Sequence, residues 1–244
     1  MVSRLRCFIG GILFCFFTSS FALHATENDD LVKAMMEVYA EELAANPQDY
    51  RTYYSRAMAY FGQGDMEKAL SDINNAIKYF PRKEKDDLAQ AYLLRAKILS
   101  ERGEAKSALT DLNSALRLVP NHRLALKDRG DLLCRLGQYD MAKIDYNHLL
   151  RMDTRSQSAF MGLARVEAHT GQPVRAKDLL AQAVNLSPKD PKIYLERSEI
   201  YKEMDMMPEA VDDLVYAVSM MGIRERYKSW SLIVTSRITA LSKG

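Results

Sequence analysis

Five alanines, Ala69, Ala108, Ala142, Ala176 and Ala210, recur along the chain at intervals of 39, 34, 34 and 34 residues. A fixed period of 34 residues marks a stacked array of helix–turn–helix units. Units of this kind bury their apolar faces only against their neighbours, and the finished stack offers a long surface to partners. The period therefore predicts an all-α solenoid and a binding mode of action, without naming what is bound.

With each alanine set at the twentieth position, the units run 50–83, 89–122, 123–156, 157–190 and 191–224. Gly64, Gly103, Gly137 and Gly171 fall at one place in the first four, between two helical stretches, where a left-handed residue ends the first helix. Asp205 replaces the glycine in the fifth, and Pro208 opens its second helix. Small residues recur at the eighth position (Ala57, Ala96, Gly130, Ala164, Ser198) and larger ones at the fourth (Tyr53, Tyr92, Leu126, Phe160, Tyr194). Pro81, Pro120 and Pro188 terminate second helices, whereas Thr154 stands where the third unit would have proline. Glu84–Leu88 is an insertion that lengthens the following helix, with Asp86 or Asp87 expected as its cap.

This arrangement of small, aromatic and proline positions resembles the tetratricopeptide repeat, over about 175 of the 244 residues. The resemblance implies a right-handed α-α superhelix of about five helix pairs. Flanking segments are expected to act as caps: an N-terminal helix within 26–49, and a C-terminal one within 225–244. The latter steps through Ile223, Tyr227, Trp230, Val234, Ile238 and Leu241 at helical spacing, and a membrane-surface helix is its alternative reading.

Four units carry arginine at the seventh position and aspartate sixteen residues later: Arg56 with Asp72, Arg95 with Asp111, Arg129 with Asp145, and Arg197 with Asp213. The fourth unit has Leu163 and Leu179 at both places. Positions that change together behave as touching partners, so four largely buried ion pairs are expected, with an apolar substitute in one unit.

Residues 1–25 are expected to be a signal peptide. Arg4 and Arg6 precede an apolar run from Cys7 to Phe17, and the small residues Ala22 and Ala25 offer cleavage sites. An uncleaved anchor is the alternative, although the run is short for a spanning helix. Cleavage leaves 32 basic and 32 acidic residues, a balance with no electrostatic footprint for nucleic acid or anionic lipid, and no membrane insertion is expected once the signal is removed. It also leaves Cys134 as the sole cysteine.

No constellation of catalytic type stands out. His24, His122, His148 and His169 are dispersed, Cys134 has no activating neighbour in sequence, and the glycines follow the repeat instead of forming a phosphate loop. No enzyme activity, metal or cofactor is expected. The resemblance places the binding surface in the inner groove, with Tyr54, Met58, Phe61, Leu93 and Leu94 at an apolar start and Lys97, Lys127, Asp131 and Arg165 among its polar positions. The lysine and asparagine set with which chaperone-binding relatives clamp a peptide carboxylate is absent. The expected function is that of an exported adaptor for a protein or peptide segment, periplasmic or outer-membrane-associated in a bacterium. It would be secreted or in the ER lumen if the chain is eukaryotic, an origin the sequon Asn185-Leu186-Ser187 leaves open. The rivals are a membrane-tethered assembly factor or chaperone of an envelope complex, and an enzyme or carbohydrate-binding module on a repeat frame.

Overall fold

A computed structural model describes residues 32–220. The leader, the first residues of the N-terminal cap and the trailing segment with Tyr227 and Trp230 lie outside the described residues. Eleven helices and no strand occur among the described residues. They are α1 (32–45), α2 (Tyr50–Gly62), α3 (Met66–Tyr79), α4 (Lys85–Glu101), α5 (Ala105–Leu118), α6 (Arg123–Arg135), α7 (Tyr139–Met152), α8 (Gln157–His169), α9 (Pro173–Leu186), α10 (Pro191–Glu203) and α11 (Met207–Met220). The all-α repeat architecture read from the period is thus the observed one.

The regularity is close. First helices α2, α6, α8 and α10 each span 13 residues, and second helices α3, α5, α7, α9 and α11 each span 14. The exception is α4, at 17 residues, which absorbs the insertion before the second repeat. Its N-cap is Glu84, whose side chain makes no capping bond, and not Asp86 or Asp87 as the sequence suggested. The aspartates sit two and three residues further in, within the first turn, where the helix dipole favours negative charge. Glu84 is held from elsewhere: the Tyr50 hydroxyl donates to it at 2.6 Å.

Asp205 at φ 57° adopts the same left-handed turn as the glycines of the other repeats, Gly64 at 79° among them. The backbone bonds across the turn are equivalent, Asp65 N–H to the Tyr60 carbonyl at 2.9 Å and Met206 N–H to the Tyr201 carbonyl at 2.8 Å. Aspartate is among the few side chains that tolerate this conformation.

The chain divides into two compact parts, Met1–Ala108 and Leu109–Gly244, with the boundary inside α5. In the N-terminal part α2 packs on α3, α3 on α4, and α2 also touches α4. Thr52 donates to Glu42 at 2.8 Å, fastening α1 to α2. In the C-terminal part α6 pairs with α7, α8 with α9 and α10 with α11, while the first helices α6, α8 and α10 also meet side by side. Ala142, Ala176 and Ala210 lie buried at the crossings, where a larger side chain would force the helices apart.

Candidate functional site

In the N-terminal part, Tyr54, Met58 and Phe61 step by four and three along α2 and form one stripe. Met58 is 48% exposed and the two rings are half-buried. Burial, with the Asp87 carboxylate adding to it, raises the Tyr54 hydroxyl above its ordinary pKa, so it remains a neutral donor. Lys97 is exposed. Leu93 and Leu94 require a correction: at 3% and 8% exposure they do not line an open surface. The sequence reading treated their positions as open, but adjacent first helices touch, and α4 is apolar around most of its circumference. A helix of that kind is enclosed on more than one side.

In the C-terminal part, the inner positions form a polar network. Lys127 donates to Asp131 Oδ2 at 2.6 Å, and the Tyr146 hydroxyl donates to Asp131 Oδ1 at 2.7 Å. Arg165 Nε lies 3.1 Å from Glu203 Oε2, and His169 Nε2 lies 3.1 Å from the same oxygen. The His169 ring stacks on Tyr139, with centroids 5.2 Å apart. Burial, the largest single influence, would lower the Lys127 pKa, but the Asp131 charge and hydrogen bond, with the Asp128 and Glu196 charges, together hold the ammonium above its usual range. Arg165 is governed in the same way: burial lowers its pKa, and the Glu203 charge and hydrogen bond, with Asp131 and Tyr146 adding to them, together raise it. Lys127, Asp131 and Arg165 are therefore brought into one region, already matched in charge. Cys134 is buried, with Sγ 3.8 Å from the Tyr146 hydroxyl. Burial raises its thiol pKa, which leaves it protonated and a poor nucleophile.

Tyr146 was missed by the sequence reading. It projects from the second helix α7 and is fully buried, and its burial, reinforced by the Asp131 charge, pushes its hydroxyl pKa far up. Room for the ring comes from two glycines. A Cβ on Gly130 would stand 2.8 Å from the ring, and one on Gly162 would overlap it more deeply. A signal existed in Gly130, which occupies a position filled by Ala57, Ala96, Ala164 and Ser198 elsewhere.

Three arginines make two-point bonds to the aspartate sixteen residues on. Arg56 reaches Asp72 at 2.6 and 2.9 Å, Arg129 reaches Asp145 at 2.8 and 2.6 Å, and Arg197 reaches Asp213 at 2.6 Å through both nitrogens. Arg95 and Asp111 stand one in each compact part. A second recurrence accompanies these pairs. Arg95 donates to Asn74 at 2.9 Å and Arg129 to Asn113 at 2.8 Å, each an asparagine of the preceding repeat. The fourth repeat, without the arginine, has a buried Glu167 that accepts from Lys143 at 2.8 Å, with Arg175 at 3.5 Å. Among the described residues no group of three histidine, cysteine or acidic side chains is placed to hold a metal ion, and no helix is long and apolar enough to cross a membrane.

The sequence profile of the tetratricopeptide repeat matches residues 36–86, 54–123 and 127–191, more than half of the chain. The chain belongs to the tetratricopeptide repeat family. Among solved structures, a tetratricopeptide repeat protein from Parabacteroides merdae ATCC 43184 is 25% identical, with a TM-score of 0.67 over 80% of this chain and 75% of that one. A thermophilic tetratricopeptide repeat protein of Thermus thermophilus is 20% identical, with a TM-score of 0.59 over 75% and 99%. YrrB, described as a tetratricopeptide repeat protein with an unusual peptide-binding site, is 16% identical, with a TM-score of 0.52 over 81% and 97%. The latter two share the fold alone at that identity. No curated protein matches the chain. Tetratricopeptide repeat proteins are in general non-catalytic scaffolds for protein or peptide partners.

Proposed function

We propose that the chain is an exported adaptor that grips a protein or peptide segment on the inner side of its first helices, without catalysis. The observation that carries this reading is the stripe of Tyr54, Met58 and Phe61, apolar side chains left open on α2 where stacking does not need them. Half-buried aromatics beside an exposed methionine make an anchor of low entropic cost for a partner's apolar residues. The peptide site of the structurally similar YrrB supports a peptide-sized occupant. Within the C-terminal part, Lys127, Asp131 and Arg165 would take up polar contacts of their own by exchanging their present ion pairs for new ones.

The test is capture of partners from an envelope extract by the mature chain, repeated with Tyr54→Ala and Phe61→Ala together. Loss of two aromatic anchors is expected to cost on the order of 2 kcal/mol or more each, abolishing stable capture while helical content holds. Unchanged capture by the double variant overturns the anchor assignment.

Export rests on the basic start, apolar run and small residues of the leader. The intact mass of protein recovered from the producing cell is expected to lack residues 1–25. A mass that retains Arg4 and Arg6 overturns cleavage and favours a membrane-tethered assembly factor instead.

A further inference from the structure

In three of the four repeats that carry the arginine, the fourth-position side chain of the first helix fills the space beside it. Tyr53, Tyr92 and Tyr194 do so with a ring, and their arginines lie over it: Arg56 at 5.8 Å, Arg95 at 5.6 Å and Arg197 at 5.3 Å from the ring centroids. The third repeat departs from this pattern. It keeps Arg129 but has Leu126 in place of the ring. An open cleft of about 440 Å³ lies at that point, walled by Leu116, Arg117, Pro120, Leu126, Arg129 and His148. In the fifth repeat the corresponding space is occupied: Tyr194 packs edge-on against Tyr216 at 4.6 Å, and its hydroxyl donates to the Pro188 carbonyl at 2.9 Å. Tyr216 and Pro188 hold the repeat positions that His148 and Pro120 hold here. The cleft is therefore the mould of an aromatic side chain that this repeat does not supply.

Its rim is basic. Arg129 is neutralised by Asp145, but Arg117 donates only to the Ser114 hydroxyl at 2.9 Å and has no ion pair among the described residues. His148 sits opposite, 2.9 Å from Asn121 Oδ1. The floor, Leu116 and Leu126, is apolar. A guanidinium with an uncovered face attracts a π-system, and an unmatched arginine beside it attracts an anion.

We infer that this cleft receives a planar aromatic ring carrying a nearby carboxylate, with the ring covering Arg129 and the carboxylate meeting Arg117. The site is separate from the inner stripe on α2 and does not depend on it.

The experiment titrates the methyl- and nitrogen-labelled full chain with 3-phenylpropionate and, separately, with 3-cyclohexylpropionate, which has the same charge and no π face. The aromatic acid is expected to move the Leu116 and Leu126 methyl resonances upfield saturably and to bind about tenfold more tightly than the saturated acid. 3-Phenylpropionamide is expected to bind about threefold more weakly than the acid, a difference that Arg117→Gln erases. Leu126→Tyr fills the cleft from within, as three other repeats do, and is expected to abolish binding with the thermal midpoint retained. A blocked Glu-Phe-Glu peptide distinguishes the source. Tighter binding of the peptide indicates a partner's side chain, tighter binding of the free acid a small molecule, and both outcomes uphold the site. Equal affinity of the two acids, or ring-current shifts confined to residues outside the cleft, overturns it. That comparison uses the unaltered chain and decides the matter even if Leu126→Tyr fails to fold.

Discussion

Replacing Arg129 with leucine is expected to destabilise the fold by about 3–5 kcal/mol, because it strands a buried carboxylate. Asp145 is 1% exposed, and both of its oxygens accept from Arg129. Without the guanidinium it must either remain charged in an apolar surround or take up a proton. Adding Asp145→Leu removes the stranded group and is expected to restore much of the loss. The fourth repeat supplies the precedent: Leu163 is buried at the arginine position, and Leu179 packs against the apolar cluster of α8 to α11 at the aspartate position. Asn113, left without its donor, is exposed and turns to water. A chemical-denaturation cycle of the two single variants and the double one reads the coupling. Additive losses would show that the pair does not act as one.

The second large effect is expected from adding a single methyl group. Gly162→Ala places a Cβ inside the van der Waals surface of the Tyr146 ring. That ring has little room to retreat, since it is fully buried, Gly130 also lies against it, and its hydroxyl is held by Asp131. Overpacking of a closed core costs about 1–3 kcal/mol, and this site belongs at the upper end. Alanine regains roughly 1 kcal/mol of helix propensity, so the net loss in thermal or chemical stability is about 2 kcal/mol. Tyr146→Leu in the same chain relieves the overlap, in keeping with Leu112, Leu180 and Leu214 at that position in other repeats. A variant Gly162→Ala as stable as the parent would mean that the ring is not confined.

The parts legible from sequence were those that repeat within one unit. The 34-residue period, the turn glycines, the alanines at the crossings and the arginine–aspartate spacing all follow from contacts that each helix pair makes in the same way. What escaped was set by the neighbouring repeat. Leu93 and Leu94 occupy formally inner positions, yet their exposure depends on the side chains of adjoining helices, which the position number does not encode. The asparagines that meet Arg95 and Arg129 belong to the repeat before, so a search confined to one unit passes over Asn74 and Asn113. Tyr146 announced itself only through Gly130 and Gly162, two small residues whose purpose appears once the ring between them is seen. Glu167 reads as an ordinary surface acid until Lys143, from the preceding repeat, is found above it. The candidate anchors on α2 were legible for the opposite reason: Tyr54, Met58 and Phe61 share one helix, and their common face follows from spacing alone.

The arginine that answers both to its own aspartate and to the previous repeat's asparagine also bears on how such a chain can evolve. Its requirements at that junction are met by one neighbour, so the third repeat can be copied with this junction chemistry intact. Asn147 holds in the third repeat the place that Asn113 holds in the second. A tandem duplication of 123–156 would present it with a fresh copy of Arg129, which would arrive with its own aspartate. Copying this repeat therefore strands neither partner, whereas exchanging one charge of the pair by point mutation strands the other.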